Sequence, residues 1–419
     1  MDFELTQEQS NTINVLNSGV NVFVSGEAGT GKSTIINEFL KQNPKKSILT
    51  FAPTGIAAIQ IKGVTLHRGF KLDRGVLTKK NIYFVPDEIL VAETIIIDEI
   101  SMCRIDVFEA VVETIKASNK RRARYGLAPT QLILVGDFFQ LPPVVIKQDA
   151  DILKQLYPGL DTYFAFNSPL WNELNLTNIV LHDIMRQNNL EFTRALNKVR
   201  IGDSDSIDFI NANAAKNALE GAVVLTGMNR VANEINAENL GKIERESYFF
   251  QATIKGRVSP SDLCVDDELE LKEGARVMTV VNGDNFQNGS IGTIISINKK
   301  KKSILIVLDN GEELILKPYE WEVYEYETDY DTNGKKFVSK KKIGSYKQFP
   351  LKLAYAITIH KSQGQTFEKM NLMPYSWDYG QLYVALSRAK SLEGLHLLES
   401  IKPQFLKTSN EVVKFYDNL

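Results

Sequence analysis

Val22-Phe23-Val24-Ser25-Gly26-Glu27-Ala28-Gly29-Thr30-Gly31-Lys32-Ser33-Thr34 runs from an apolar stretch through a glycine-rich turn into the start of a helical pattern. The turn fits G-x-x-x-x-G-K-[ST], with strand, loop and helix in the order that a triphosphate cradle needs. Glycines let the backbone fold tightly, so that its N–H groups point at phosphate oxygens. Lys32 reaches the β and γ phosphates and the Ser33 hydroxyl holds Mg²⁺. Gly26, Gly29, Thr30, Gly31, Lys32, Ser33 and Thr34 are therefore the candidate nucleotide-binding residues.

Upstream, Thr6 is placed to cap a helix with Gln9 facing back toward it. Gln9 is either no more than that cap or an amide that pairs with both edges of adenine. Downstream, residues 47–52 read as a second strand ending in Pro53-Thr54-Gly55, and Gly63-Val64-Thr65-Leu66-His67 follows. Such small hydroxylated residues are turn formers or ligands for a nucleic-acid backbone. Residues 68–92 lack periodicity and read as an excursion. Thr94-Ile95-Ile96-Ile97-Asp98-Glu99 has the look of a central parallel strand buried on both faces and ending in two acids. Asp98 would complete the Mg²⁺ shell with Ser33, and Glu99 would polarise the attacking water. The basic run Lys120-Arg121-Arg122-Ala123-Arg124 is expected in a loop, as solvated surface more than as a nucleic-acid contact. Residues 131–135 form another buried strand, leading into Gly136-Asp137-Phe138-Phe139-Gln140-Leu141-Pro142-Pro143. Gln140 is placed to sense a γ phosphate, and Phe138 and Phe139 are core residues or touch stacked bases. Strands alternating with helices give a doubly wound sheet, with every candidate at a carboxyl end.

The chain has 419 residues, 43% of them hydrophobic and 24% charged, which suits a soluble protein of two to four domains. A formal net charge of −2 gives no global attraction to polyanions, so any nucleic-acid partner is met by local patches. Two cysteines, Cys103 and Cys264, make neither a disulfide framework nor a zinc site. No stretch approaches the roughly 18 apolar residues of a membrane helix, and the expectation is a soluble, cytoplasmic protein.

The second half begins irregularly around residues 158–170. Val223-Val224-Leu225-Thr226 starts another strand, with Asn229 opening a helix. From about Leu269 to Lys347 the pattern is β-rich, with hairpin signals at Asn282-Gly283 and Asn310-Gly311. Glu320, Glu322, Glu325, Glu327, Asp329 and Asp331 change parity near Val323-Tyr324, and Lys335, Lys336, Lys340, Lys341 and Lys342 are expected to pair with them across a hairpin. Lys299 to Lys302 make a freer basic patch. The α/β pattern then returns with Ile359-His360-Lys361-Ser362-Gln363-Gly364-Gln365-Thr366 and an amphipathic helix ending in Ser387-Arg388. Arg186 and Arg388 are surface or dipole-complementing arginines taken singly; with a phosphate loop in the same chain, Arg388 is sharper as an arginine finger.

Together these segments resemble superfamily 1 helicases of the 5′-to-3′ class, most of all the PIF (petite integration frequency) DNA helicases, with the phage Dda and bacterial RecD helicases as cousins. The resemblance rests on residues 26–33, 52–58, 97–102, 136–144, 359–366 and 383–389, in the family's order along the chain. It implies two RecA-like α/β domains in tandem, with ATP between them and single-stranded DNA across their tops. The first domain would be 1–67 and 93–170, with a small wedge domain at 68–92. The second would be 171–270 and 349–419, with an SH3-like β insert at 271–348. It makes Gln9 the adenine reader, Gln140 the γ-phosphate sensor, Arg186 and Arg388 the arginines of the second domain, and Gly364 part of the nucleotide site. It puts Pro53, Thr54, Thr65, His67, Phe139, Pro142, Thr226, Asn229, His360 and Ser362 on DNA. The activity implied is an ATP- and Mg²⁺-dependent, monomeric DNA helicase of replication, repair or recombination, acting on tailed or forked duplex and plausible on G-quadruplexes and RNA–DNA hybrids. Two alternatives are an RNA-directed or weakly unwinding translocase and a non-motor ATP switch.

Overall fold

Six strands whose side chains are mostly Val, Ile and Leu form the first sheet: β1 (Val22–Gly26), β2 (Ile48–Ala52), β3 (Val64–Thr65), β4 (Thr94–Ile97), β5 (Gln131–Val135) and β6 (Thr177–Leu181). All pair in parallel, in the order β3-β2-β4-β5-β1-β6. β1, β4 and β5 are buried along their whole length, as continuous apolar runs require when helices cover both faces. The helix Lys32–Gln42 lays Ile35, Ile36 and Phe39 against this sheet. Register decides what meets at the sheet's edge: Val24 pairs with Val135 and Ile97 with Leu134, so the chain leaves β1, β4 and β5 at one level. The structure, a computed structural model, describes residues 5–73, 75–78, 84–184, 189–283, 286, 288–330 and 336–419.

By internal packing the chain divides into two units, Met1–Arg186 with Tyr324–Lys342 and Asn410–Leu419, and Gln187–Val323 with Ile343–Ser409. The first unit therefore extends past the expected boundary at 170, because β6 pairs with β1 over its full length. It also takes in the last ten residues, expected in the second domain, because Phe415 packs on Phe23, Phe138, Phe166 and Trp171. The basic run at 121–124 is not in a loop but in the last turn of the helix Ile105–Arg124, where cations complement the helix dipole. Arg122 is buried there and donates to the carbonyls of Leu90 and Ala128. Part of the 68–92 excursion is anchored by Leu77, whose N–H donates to Asp106 at 2.7 Å; residues 74 and 79–83 lie outside the described residues.

The second unit holds a four-stranded parallel sheet in the order Ala356–Thr358, Val223–Thr226, Met370–Leu372, Leu395–Leu397. Its antiparallel strands begin at Tyr248 and end at Leu353, a wider span than the expected 271–348. The reason is pairing: Gly344 to Lys347 meet Thr253 to Gly256, and Leu351 to Leu353 meet Val277 to Thr279. Asn310-Gly311 makes the expected tight turn, with Gly311 at φ +86°, whereas Asn282-Gly283 lies in a longer connection between Thr279 and Ile291. Buried positions on Tyr319–Tyr330 switch from Trp321 and Val323 to Tyr326, the expected change of parity, and Lys341 pairs with Glu327 at 2.8 Å. Among the described residues no helix is long and apolar enough to cross a membrane.

Candidate functional site

The turn after β1 has the backbone that its sequence demands. Gly29 and Gly31 have φ +91° and +83°, and a Cβ on Gly31 would collide with Gln9 Nε2. Lys32 Nζ donates to the carbonyls of Gly26 (2.8 Å) and Glu27 (2.9 Å), which keeps the ammonium inside the loop. Ser33 is exposed on the first helical turn, and a helix N-terminus suits an anion. Gln9 is fully buried, and its amide is committed at both ends: Oε1 accepts from Thr6 N–H (3.1 Å) and Nε2 donates to the Thr30 carbonyl (3.1 Å). With Thr6 Oγ1 accepting from Gln9 N–H, the capping box is complete, and the side chain ties that helix start to the phosphate loop.

Two strands over, beyond β5, Asp98 and Glu99 follow β4. Asp98 accepts from Glu99 N–H at 2.9 Å. Burial pushes its carboxyl above the ordinary carboxylate value, opposed by that hydrogen bond and by the charge of Lys32. Glu99 holds φ 51° and ψ 44°, a left-handed backbone that costs a residue with a Cβ about 1–2 kcal/mol. Strain of this kind collects at functional positions. After β5, Asp137 anchors a turn: its Oδ1 accepts from Phe139 N–H (3.2 Å) and its carbonyl from Gln140 N–H (2.9 Å). Loop, acid pair and Gln140 turn therefore sit at the ends of neighbouring strands.

Among the DNA candidates of this unit, Thr54 and Thr65 both cap short helices, their hydroxyls accepting from Ala57 and Arg68 N–H at 3.3 Å. The pairing of Ala52 with Thr65 brings Pro53-Thr54 and Thr65-His67 to one edge. Phe139 and Pro142 are different. Both are buried, and Phe139 stacks on Tyr416 with ring centroids 4.8 Å apart, which is the core role that its sequence also allowed.

In the second unit, Thr226 and Thr358 pair at the ends of adjacent strands, which brings Asn229 and His360 to the same edge of that sheet. Asn229 is exposed, whereas Thr226 and Ser362 are buried, Ser362 donating to the Ile359 carbonyl at 2.8 Å. Burial lowers the His360 pKa, with Asp378 pulling it back up. Gly364 turns at φ +78°. Arg388 is 2% exposed and donates to the carbonyls of Val384 (3.0 Å), Gln365 (3.3 Å) and Ser362 (3.4 Å), and to Ser387 Oγ (2.9 Å). Its guanidinium thus braces the 362–365 turn. Arg186 lies outside the described residues.

The donor set fits a magnesium nucleotide. Among the described residues no three His, Cys, Asp or Glu side chains gather into a metal cage. Mg²⁺ bound with a triphosphate needs no such cage, since one or two protein oxygens suffice beside phosphates and waters. Ser33, on the helix after β1, and Asp98, after β4, would offer one hydroxyl and one carboxylate for that role.

A family model for the PIF1-like helicase matches residues 4–208. The chain is 35% identical to the ATP-dependent DNA helicase Pif1 of Campylobacter jejuni, with 94% of each protein covered. It is 29% identical to the ATP-dependent DNA helicase PIF1 of Xenopus laevis, where 99% of this chain covers 64% of the frog protein. Among solved structures, Pif1 from a Bacteroides species in complex with ADP-AlF4 aligns with a TM-score of 0.86 at 33% identity, covering 100% of this chain and 97% of the other. The Bacteroides protein bound to single-stranded DNA aligns at 0.68, with the same identity and coverage. The chain belongs to the PIF1-like helicase family.

Proposed function

We propose that this protein is an ATP-driven DNA helicase that moves 5′ to 3′ along one strand as a monomer and separates the duplex ahead. One observation carries the reading: the phosphate loop, Asp98-Glu99 and the Gln140 turn converge at adjacent strand ends in a chain of this family. Gly26 to Thr34 bind the phosphates, with Lys32 on the β and γ oxygens. Ser33 and Asp98 would hold Mg²⁺, which when bound offsets phosphate charge. Glu99 orients the attacking water and takes its proton, so that the γ-phosphorus–oxygen bond to ADP breaks as the new one forms. Gln140 registers the γ phosphate. Arg186 and Arg388 are proposed to stabilise charge in the transition state, for which Arg388 would exchange its backbone carbonyl partners for phosphate.

The face made by Pro53, Thr54, Thr65 and His67, and the second one made by Asn229 and His360, are proposed to hold the sugar–phosphate backbone of a single strand. Backbone contacts make such binding nearly independent of sequence and sensitive to salt. G-quadruplexes and RNA–DNA hybrids are further candidate substrates, presented on the same tail. The test is hydrolysis of ATP with and without oligonucleotides. Single-stranded DNA is expected to raise kcat well above RNA; equal stimulation by both would favour an RNA-directed translocase, and no stimulation by either would contradict the motor.

A further inference from the structure

The helix Asn410–Asp417 closes the chain within the first unit. Besides the Phe415 packing, it brings the Tyr416 phenol to the base of the phosphate loop. Tyr416 Oη lies 2.5 Å from Ser25 Oγ, accepts from Phe138 N–H at 3.2 Å, and is 3.4 Å from Asp137 Oδ1. Ser25 is the fully buried residue immediately before Gly26. Asp137 and Phe138 begin the turn that carries Gln140. A phenol has one proton and two lone pairs. The Phe138 N–H and the Ser25 hydroxyl fill the lone pairs, and the phenol's own proton goes to Asp137, so the three bonds are mutually compatible. A phenylalanine would stack on Phe139 equally well, so ring packing does not account for the hydroxyl.

We propose that Tyr416 is a positioning residue for γ-phosphate sensing. Its hydroxyl ties the last residue before the phosphate loop to the turn that holds Gln140, so the spacing between loop and sensor is set by the helix Asn410–Asp417. The assignment rests on the reading of this site as one for ATP.

The test uses the full chain with Tyr416→Phe, Ser25→Ala and the double variant. Steady-state hydrolysis with single-stranded DNA, affinity for ADP and for a non-hydrolysable ATP analogue, and thermal melting are measured for each. Tyr416→Phe is expected to lower kcat about three- to tenfold, the value of one neutral hydrogen bond. KM and ADP affinity stay within about twofold, since the lost interaction serves the γ phosphate and the transition state. Preference for the ATP analogue over ADP falls with kcat, and the double variant falls no further than Tyr416→Phe. Hydrolysis equal to the parent's overturns the assignment, as does a loss of kcat matched by losses of ADP binding and melting temperature. So does additivity in the double variant. If the unaltered chain binds neither nucleotide, the ATP reading itself has failed, and this assignment with it.

Discussion

Glu99 sits at the end of a buried strand with a backbone that side chains avoid, and Lys32 spends its donors on the loop's own carbonyls. The Glu99 backbone is a cost accepted where chemistry is done. Glu99→Gln keeps size and backbone but not the base. Hydrolysis is expected to fall by about 10²–10⁴, with nucleotide binding and melting temperature nearly unchanged; a variant that still turns over ATP would remove Glu99 from the mechanism. His360 offers a test by pH. Burial lowers its pKa, so the unfolded chain takes up a proton more readily than the folded one. Its contribution to stability is therefore intact above about pH 6.5 and is lost as pH falls toward and through the folded value. The drop in melting temperature between pH 7.5 and 5.5 should shrink in His360→Gln; an equal drop in both would show that this imidazole is not a source of it.

At the level of elements, the two threonine caps carry a separable prediction. Thr54→Ala and Thr65→Ala should each cost about 1 kcal/mol of stability through the lost cap. Each should also weaken single-stranded DNA binding, with Thr→Ser restoring both. Stability lost without any change in DNA affinity would leave these residues as caps alone. Elements also show what was legible in the sequence. β1, β4 and β5 announce themselves because burial on both faces leaves unbroken apolar runs, and the site residues follow directly from them. β6 does not, because it is an edge strand whose Thr177 and Asn178 are polar and exposed and whose Ile179 and Val180 are only half-buried. The arginines at 121–124 look like a loop by charge, yet they complete a helix whose buried face reaches as far as Arg122.

Across the whole molecule, what the sequence hides is long-range. Residues 324–342 and 410–419 belong with the first unit although the chain has long since left it. Tyr326 reaches Thr50 of β2 through its hydroxyl, accepting from Thr50 N–H at 3.0 Å, and Tyr416 reaches Ser25 and the Gln140 turn. No local pattern marks either tyrosine, since only the fold brings residues so distant in sequence together. The same distance explains why Phe139 reads as a candidate for bases when its partner, Tyr416, is hundreds of residues away. The central claim is that hydrolysis at this site drives movement in one direction along DNA. The most direct measurement is strand release from matched duplexes bearing a 5′ or a 3′ single-stranded tail, with ATP and Mg²⁺, for the parent chain and Arg388→Ala. The account predicts release from the 5′-tailed duplex by the parent and its loss in Arg388→Ala; release from the 3′-tailed duplex alone would contradict it.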